Sequence, residues 1–324
     1  MGRIAETTAP VRSAAAAMRG PLAAIARLAE ARGPSPFAGR PLYREPWGPA
    51  HEQARAWRGE RPDDAALIDR IAAQPTALWL GDWTRDVREA AGQRVDAARA
   101  DGSMPVLVAY NIPDRDCGQH SSGGAGGPDA YRDWIDELAA GLGGGPAAVV
   151  LEPDALAALD CLPAARRDER AALVSYAATR LSRRPGVAVY IDAGNPGWTA
   201  PAEMARRLRE AGVGRARGFA LNVANFHTTA RSRAYGRAIS RRAGGAPFVI
   251  DTGRNGAGPG LGGDWCNPSG RALGQAPTAQ TADPAVDALL WIKRPGESDG
   301  TCNGGPPAGE WWPDGALSLA RAAG

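Results

Sequence analysis

The sequence predicts an α/β fold in which about seven parallel strands form a distorted, incomplete, TIM-like β/α barrel. Short apolar runs alternate with longer stretches of helical spacing, with a period of about 30–45 residues over positions 70–324. Acidic residues recur where these runs end, as is typical of barrels with an active-site cleft at the carboxyl ends of the strands. An open parallel sheet remains an alternative, because periodicity alone does not determine closure.

The strands are predicted at seven apolar runs, each short and bounded by Gly, Pro or polar residues. In chain order the runs are 76–79, 104–112, 147–151, 187–191, 218–222, 247–250 and 285–292. The helices are predicted where apolar residues recur at helical spacing. These stretches are 84–100, 130–142, 167–180, 201–211, 231–243 and 315–323.

The composition is that of a globular protein able to bury a full core, with 44% hydrophobic and 23% charged residues in 324. Residues 1–34, rich in Ala and Arg, are predicted to be a leader or a loosely packed segment, and residues 35–324 a single domain. No apolar run is long enough to span a membrane. A net charge of +3 is too small to predict a nucleic-acid partner. The three histidines match no zinc spacing, so a histidine-rich metal site is not expected.

The four cysteines are Cys117, Cys161, Cys266 and Cys302, and none forms a C-x-x-C motif. Their even number and the absence of metal spacing favour disulfides and an exported protein. The residues alone leave three pairings open. Four free thiols in a cytosolic enzyme are the alternative.

The acidic residues that follow the strands are the most informative pattern. They are Asp116, Asp154, Asp192, Asp251 and Asp299. Carboxylates that converge at one barrel mouth repel one another and raise some of their pKa values, which suits general acid catalysis. The alternative for any one of them is a helix N-cap.

Aromatic residues lie beside these acids, and half of the 20 aromatic residues are Trp. The neighbours of the acids are Trp79, Trp83, Tyr110, Trp198 and Trp265. Indole rings at a barrel mouth suit stacking on sugar faces, and core or rim packing is the alternative for most of them. Lys293 is the only lysine among 38 basic residues, which indicates a role that Arg does not fill.

Five segments, in this order and taken together, resemble glycoside hydrolase family six, the inverting cellulases, and most closely its bacterial endoglucanases. They are YNIPDRDC at 110–117 with HSSGG at 120–124, LEPDAL at 151–156, YIDAGNPGW at 190–198, DTGRNG at 251–256 with DWC at 264–266, and LWIKRPGESDG at 290–300. The resemblance covers about residues 35–324 and makes that range a glycoside hydrolase catalytic domain.

The resemblance implies a role for each matching residue. Asp154 would be the general acid and Asp299 the candidate base, separated by roughly 6.5–9.5 Å to admit a water. Asp116 would raise the pKa of Asp154, and Ser122 would hold the attacking water. Asp192 would support the site, and Tyr110 would press on the distorted sugar.

The same resemblance implies which residues bind a β-1,4-glucan and which cysteines pair. The expected substrate-binding residues are Trp79, Trp198, Trp265, Lys293, Glu297, Asn225 and His120. The expected disulfides are Cys117–Cys161 and Cys266–Cys302. No cofactor, metal, nucleic acid or membrane is expected, and the protein is expected to be a secreted monomer.

The short distance from Asp299 to Cys302 favours an open cleft, and hence cleavage of internal bonds. Three alternatives remain: a cellobiohydrolase, a non-catalytic glucan-binding protein, and a cytosolic enzyme acting on another glycan. Asn195 stands where the family commonly has His, and this departure is expected to alter subsite geometry or the pH profile, because Asn carries no charge.

Overall fold

A computed structural model describes residues 33–260 and 264–323. Its centre is a sheet of seven parallel strands in sequential order. The strands are β1 (Leu78–Leu80), β2 (Val106–Ala109), β3 (Ala147–Leu151), β4 (Val187–Asp192), β5 (Gly218–Leu221), β6 (Phe248–Asp251) and β7 (Val286–Leu290). The predicted number and direction of the strands are therefore confirmed, although most strands are shorter than predicted or shifted by a residue or two.

Eight α-helices occur in the described ranges. They are α1 (Pro49–Trp57), α2 (Pro62–Ala72), α3 (Val87–Ala100), α4 (Pro128–Leu142), α5 (Ala164–Ser182), α6 (Pro201–Glu210), α7 (Thr229–Ser240) and α8 (Pro313–Arg321). The last six correspond to predicted helices. The sequence analysis missed α1 and α2, which pack with α8 in a separate apolar cluster beside Trp291. No helix in the described ranges is long and apolar enough to cross a membrane.

The β2 strand shows why the apolar run 104–112 is not one long strand. The Tyr110 N–H still reaches the Leu80 carbonyl in the neighbouring strand. The next two N–H groups, of Asn111 and Ile112, instead donate to the buried carboxylate of Glu152 at 3.0–3.1 Å. The chain therefore leaves the sheet at Tyr110 and turns across the end of β3.

The two edges of the sheet curl towards each other without pairing as strands in the part that the structure describes. The Ala77 N–H donates to the Trp291 carbonyl, and the Trp79 indole N–H donates to the Ile292 carbonyl at 2.8 Å. Arg294 in turn donates to the Ala77 carbonyl. This arrangement is the predicted incomplete barrel, with its gap bridged by single contacts rather than a ladder.

Side chains alternate across the sheet, because successive residues of a strand point to opposite faces. Val106 and Val108 lie in the inner cluster, whereas Leu107 and Ala109 lie in the outer cluster under the helices. At the amino end, the Phe37 ring stacks on Tyr190 with their centroids 6.1 Å apart. The interior is thus packed, and the carboxyl ends of the strands remain for a site.

Both cysteine pairs that the resemblance implied form disulfides. Cys117–Cys161 joins the 3-10 turns Asp116–Gly118 and Ala157–Cys161, which follow β2 and β3. Cys266–Cys302 joins the segments that follow β6 and β7. The predicted leader, residues 1–34, lies almost wholly outside the described residues.

Candidate active site

The five strand-end aspartates do not cap the helices that follow them. The helices that next follow them have Gly127, Pro163, Ala200 and Trp312 at their N-cap positions. The carboxylates of Asp116, Asp192, Asp251 and Asp299 instead accept hydrogen bonds from backbone N–H groups of the loops at the carboxyl edge of the sheet. The helix-cap alternative is therefore wrong. Asp116 and Asp192 lie near enough to Asp154 for their charges to act on it, whereas Asp299 lies beside Arg254 and Lys293.

Asp154 follows β3 in a backbone conformation that few residues other than glycine adopt. Its φ is 70°, and Glu152 two residues earlier has a φ of 50°. Glu152 is buried, and its contacts with the Asn111 and Ile112 N–H groups hold this turn in place. Burial raises the pKa of Asp154 well above its usual value, and the charges of Asp192 and Asp116 raise it further. Asp154 therefore keeps its proton to higher pH than an ordinary carboxyl group.

Asp192 ends β4, and its carboxylate is hydrogen-bonded to the backbone of Asp154. Its Oδ2 accepts hydrogen bonds from the N–H groups of Asp154, at 3.0 Å, and Gly194, at 2.9 Å. Its Oδ1 is buried and has no hydrogen-bond partner among the residues that the structure describes. Burial raises the pKa of Asp192 to about 7, although the backbone N–H groups partly oppose this. Asp192 thus fixes the position of Asp154 and affects its proton affinity.

Asp116 lies in the loop after β2, and Arg115 shapes that loop. The buried Arg115 guanidinium donates to the carbonyls of Tyr110, Ser121 and Ser122 and to the Asp82 carboxylate, at 2.7–3.2 Å. The Asp116 carboxylate accepts the Ser121 N–H at 2.7 Å. Burial raises the pKa of Asp116. Ser122 is exposed, and its position is set through its carbonyl.

Asp299 lies after β7, which three strands separate from β3 and Asp154. Its Oδ2 accepts from Arg254 Nη1 at 2.9 Å and from the Asn267 N–H at 3.0 Å. Within residues 33–260 and 264–323, no group donates to its Oδ1. Burial raises the pKa of Asp299, but the charges of Arg254 and Lys293 outweigh it and hold that pKa below its usual value. Asp299 is therefore ionised, with one oxygen fixed.

Lys293 is buried beside Asp299. Its Nζ donates to the Ser298 carbonyl at 3.1 Å and lies 4.0 Å from Glu297. The Asp251 carboxylate accepts the Lys293 backbone N–H at 2.9 Å. Burial lowers the pKa of Lys293, while the charges of Asp299 and Glu297 raise it. The only lysine in the sequence thus sits in this site.

The predicted aromatic residues lie around the acids. The Trp79 ring meets Tyr110 edge-on, with their centroids 5.3 Å apart. Burial, and then the charges of Asp154 and Asp116, raise the pKa of the Tyr110 hydroxyl. Trp198 and Trp265 expose 47% and 40% of their surface. Exposure of this size leaves indole faces free to contact a ligand.

The loops after β2 and β7 meet at His120. The His120 ring lies 5.9 Å from that of Trp265 and packs directly on Gly300, where a Cβ would come within 2.6 Å of the imidazole. The predicted open cleft stays a prediction. His120 also lies close to Cys266 and Cys302, but their disulfide leaves no thiolate to bind a metal.

Asn225, predicted to bind substrate, lies in the loop after β5. Its side-chain oxygen accepts the Phe226 N–H at 2.8 Å, and its carbonyl accepts from Asn222. In the described ranges its amide NH₂ donates to no protein group. That group is free to donate to a ligand.

The chemistry of the site follows from the opposite shifts in the pKa of its carboxyl groups. Asp154 tends to hold a proton, whereas Asp299 tends to lose one, so the pair can act as acid and base at the same pH. Two carboxyl groups in these states, in a cleft rimmed by Trp, define the kind of site that glycoside hydrolases use. Residues 37–323 match the model of the family described as Glycosyl hydrolases family 6, and the chain belongs to this family.

Known proteins similar to this chain include endoglucanases and cellobiohydrolases. Endoglucanase A of Cellulomonas fimi is 48% identical over 277 residues, which cover 84% of this chain and 60% of that protein's length. The endoglucanase Cel6 of Mycobacterium tuberculosis, solved with methyl-cellobiosyl-4-deoxy-4-thio-β-D-cellobioside, is 48% identical and superposes with a TM-score of 0.85 over 89% of this chain and 99% of that chain. The catalytic core of cellobiohydrolase Cel6A from Chaetomium thermophilum is 27% identical and has a TM-score of 0.79. The match covers 90% of this chain and 99% of that chain.

Sequence reasoning missed three residues that build the site: Arg115, Arg254 and Asn267. Arg115 shapes the Asp116 loop, and the other two hold Asp299. Arg115 and Arg254 lie in the matching segments 110–117 and 251–256, which is a signal, but Arg occurs throughout this sequence and neither residue was assigned a role. Asn267 directly follows Cys266, and its position next to the disulfide is the one signal that could have drawn attention to it.

The Asp116→Asn variant tests whether the charge of Asp116 acts on Asp154. Without that charge the pKa of Asp154 falls, so the alkaline limb of kcat/KM is expected to shift by about one unit to lower pH. The sign follows because a general acid loses activity as the pH rises through its pKa. Asp114→Asn, at an exposed position in the same loop, is the control and should leave the limb in place. An unchanged limb in Asp116→Asn would contradict this coupling.

Proposed function

We propose that the protein hydrolyses internal β-1,4-glucosidic bonds of cellulose-type glucans by single-displacement inversion. The observation that carries the proposal is the opposite shift in the pKa of Asp154, after β3, and of Asp299, after β7. Three strands separate β3 from β7, which supports an approach of the two carboxyl groups from different sides of the cleft. An inverting hydrolase needs a proton donor and a proton acceptor on opposite faces of the scissile bond.

In the proposed reaction, Asp154 donates its proton to the glycosidic oxygen as the C1–O bond breaks. A water molecule attacks C1 from the opposite face and gives its proton to Asp299, so that the new hydroxyl has the α configuration. Asp116 keeps the pKa of Asp154 high, Ser122 holds the water, and Tyr110 presses on the sugar. The free Oδ1 of Asp299 suits a base, since Arg254 and Asn267 hold the other oxygen.

The proposed substrate-binding groups surround these acids. They are Trp79, Trp198, Trp265, Lys293, Glu297, Asn225 and His120. The Mycobacterium tuberculosis relative was solved with a thio-linked cellobioside, which supports a glucan substrate for this chain. We expect no cofactor and a monomeric protein. The two disulfides support export, because such bonds persist in oxidising compartments.

A cellobiohydrolase is the second candidate, because one specific contact favours it. His120 packs on Gly300 and lies beside Trp265, so the loops that follow β2, β6 and β7 are in contact. If this contact covers the bound chain as a roof, it would restrict the enzyme to chain ends. The endoglucanase names of relatives at 48% identity favour internal cleavage instead.

Viscosity loss and reducing-end release on carboxymethylcellulose separate these candidates. For internal cleavage, we expect viscosity to fall steeply while few reducing ends appear. Slow viscosity loss with release of mainly cellobiose would favour the cellobiohydrolase. Binding of the polymer without any hydrolysis would favour a glucan-binding protein. If the protein neither binds nor hydrolyses the polymer, the proposed function is overturned and an enzyme that acts on another glycan is favoured.

A further inference from the structure

Trp83 is an exposed indole ring with a fixed position at the end of β1. It exposes 56% of its surface. The turn that carries it is closed by two hydrogen bonds, from the Thr84 N–H to the Gly81 carbonyl and from the Gly81 N–H to the Thr84 hydroxyl. The six-membered part of the indole lies so close to Gly81 that a Cβ there would meet its carbons at 2.4–2.6 Å. One side of the ring is thus packed on the backbone.

Arg115 connects the Trp83 ring to the candidate active site. The Arg115 guanidinium carbon lies 5.1 Å from the Trp83 centroid and 4.7 Å from the Tyr110 centroid. A Cβ at Gly81, beneath the indole, would also come within 2.7 Å of the Tyr110 carbonyl oxygen. Trp83 and Tyr110 therefore flank one buried cation, at the mouth formed by the ends of β1 and β2.

Covering an exposed indole face with another apolar surface gains free energy, and 56% of the Trp83 surface is exposed among the described residues. Its setting resembles that of Trp198 and Trp265, which are also exposed at the carboxyl edge of the sheet. Because Gly81, Thr84 and Arg115 already fix the ring, the protein would lose little conformational entropy when a ligand stacks on it.

We propose that Trp83 is an additional sugar-stacking platform, which binds a glucosyl unit of the β-1,4-glucan beyond the units held at Tyr110. This inference rests on the proposed function and extends the binding surface along the β1 side of the cleft. The apolar face of a glucose ring would cover the open indole face, while the sugar hydroxyls stay in water. Longer chains would gain most from this contact, and that gain suits a polymer substrate.

Calorimetric binding of cellohexaose tests the platform, with every variant made in an Asp154→Asn background so that the ligand survives. Adding Trp83→Ala is expected to weaken binding about tenfold, because the buried indole area is lost. Trp83→Phe should recover most of the affinity. Trp47→Ala is the matched control, since Trp47 is 70% exposed but lies before α1, and it should leave binding unchanged.

A second readout separates stacking from a structural effect on Arg115. With Asp154 intact, Trp83→Ala should keep its kcat on a short aryl cellobioside, because the groups around the scissile bond are unchanged. Cellohexaose affinity within twofold of the Asp154→Asn parent would overturn the platform alone, as would an equal loss of kcat on the short substrate. If the parent itself binds no cello-oligosaccharide, both the proposed function and the platform are overturned.

Discussion

The Asp154→Asn variant is expected to lose about 10²- to 10⁴-fold in kcat on cello-oligosaccharides and carboxymethylcellulose, the usual contribution of a general acid. Asn has nearly the same size as Asp but has no proton to give to the leaving oxygen. The loss should be smaller on a dinitrophenyl cellobioside, because that leaving group departs without protonation. Initial rates on the natural and the activated substrate, taken on the same preparation, measure both effects.

Asp168→Asn is the matched control for this variant. Asp168 lies in α5 at an exposed position, so the same chemical change there should leave the rates unaltered. An Asp154→Asn variant that retained more than a tenth of the wild-type rate on cello-oligosaccharides would show that another group supplies the proton. Equal losses on the two substrates would point to a binding role instead.

The Asp299→Asn variant is expected to lose a similar factor, about 10²- to 10⁴-fold in kcat. The reason differs, because here the variant lacks the group that accepts a proton from water. Since the pKa of Asp299 lies below its usual value, the wild type should stay active at low pH until that carboxylate becomes protonated. The variant should lose this acid limb, which a pH profile of kcat/KM measures.

Azide separates a base from a structural residue at position 299. Azide is an anionic nucleophile that needs no base, so it should restore part of the rate of Asp299→Ala but not that of Asp154→Asn on cello-oligosaccharides. Melting temperatures should accompany these assays, because removing Asp299 leaves the buried Arg254 without its partner. Asp264→Asn, exposed in the neighbouring segment, is the control. A folded Asp299→Ala variant with no azide response would contradict the role of base.

The sheet was predictable because each buried strand is a short apolar run between polar segments. The β3 strand is the clearest case, since residues 147–151 are all buried and match the predicted run. The helices α1 and α2 were not predictable from the βα period, because they precede β1 and bury their apolar faces against α8 rather than the sheet. That packing depends on residues more than 200 positions away in the sequence.

The site was predictable only in part, for a similar reason. The acids at the strand ends could be found, because a parallel sheet places the ends of its strands at one edge. The left-handed turn at Glu152 and Asp154 carries no glycine that would have indicated it. Arg115 and Arg254 lie in segments that resemble the family, but their residue type alone does not distinguish them from the many surface arginines. The contact of His120 with Gly300 depends on the meeting of two loops, and the short disulfide segment did not predict it.

Proton NMR of the first product formed from cellotetraose tests the central claim most directly. The claim is that Asp154 and Asp299 act on opposite faces of one bond, so a single displacement must invert the anomeric centre. The predicted result is an α-anomer signal that appears first, followed by the β signal as mutarotation proceeds. Initial formation of the β-anomer would contradict the claim, because retention requires a covalent intermediate or attack from the same face.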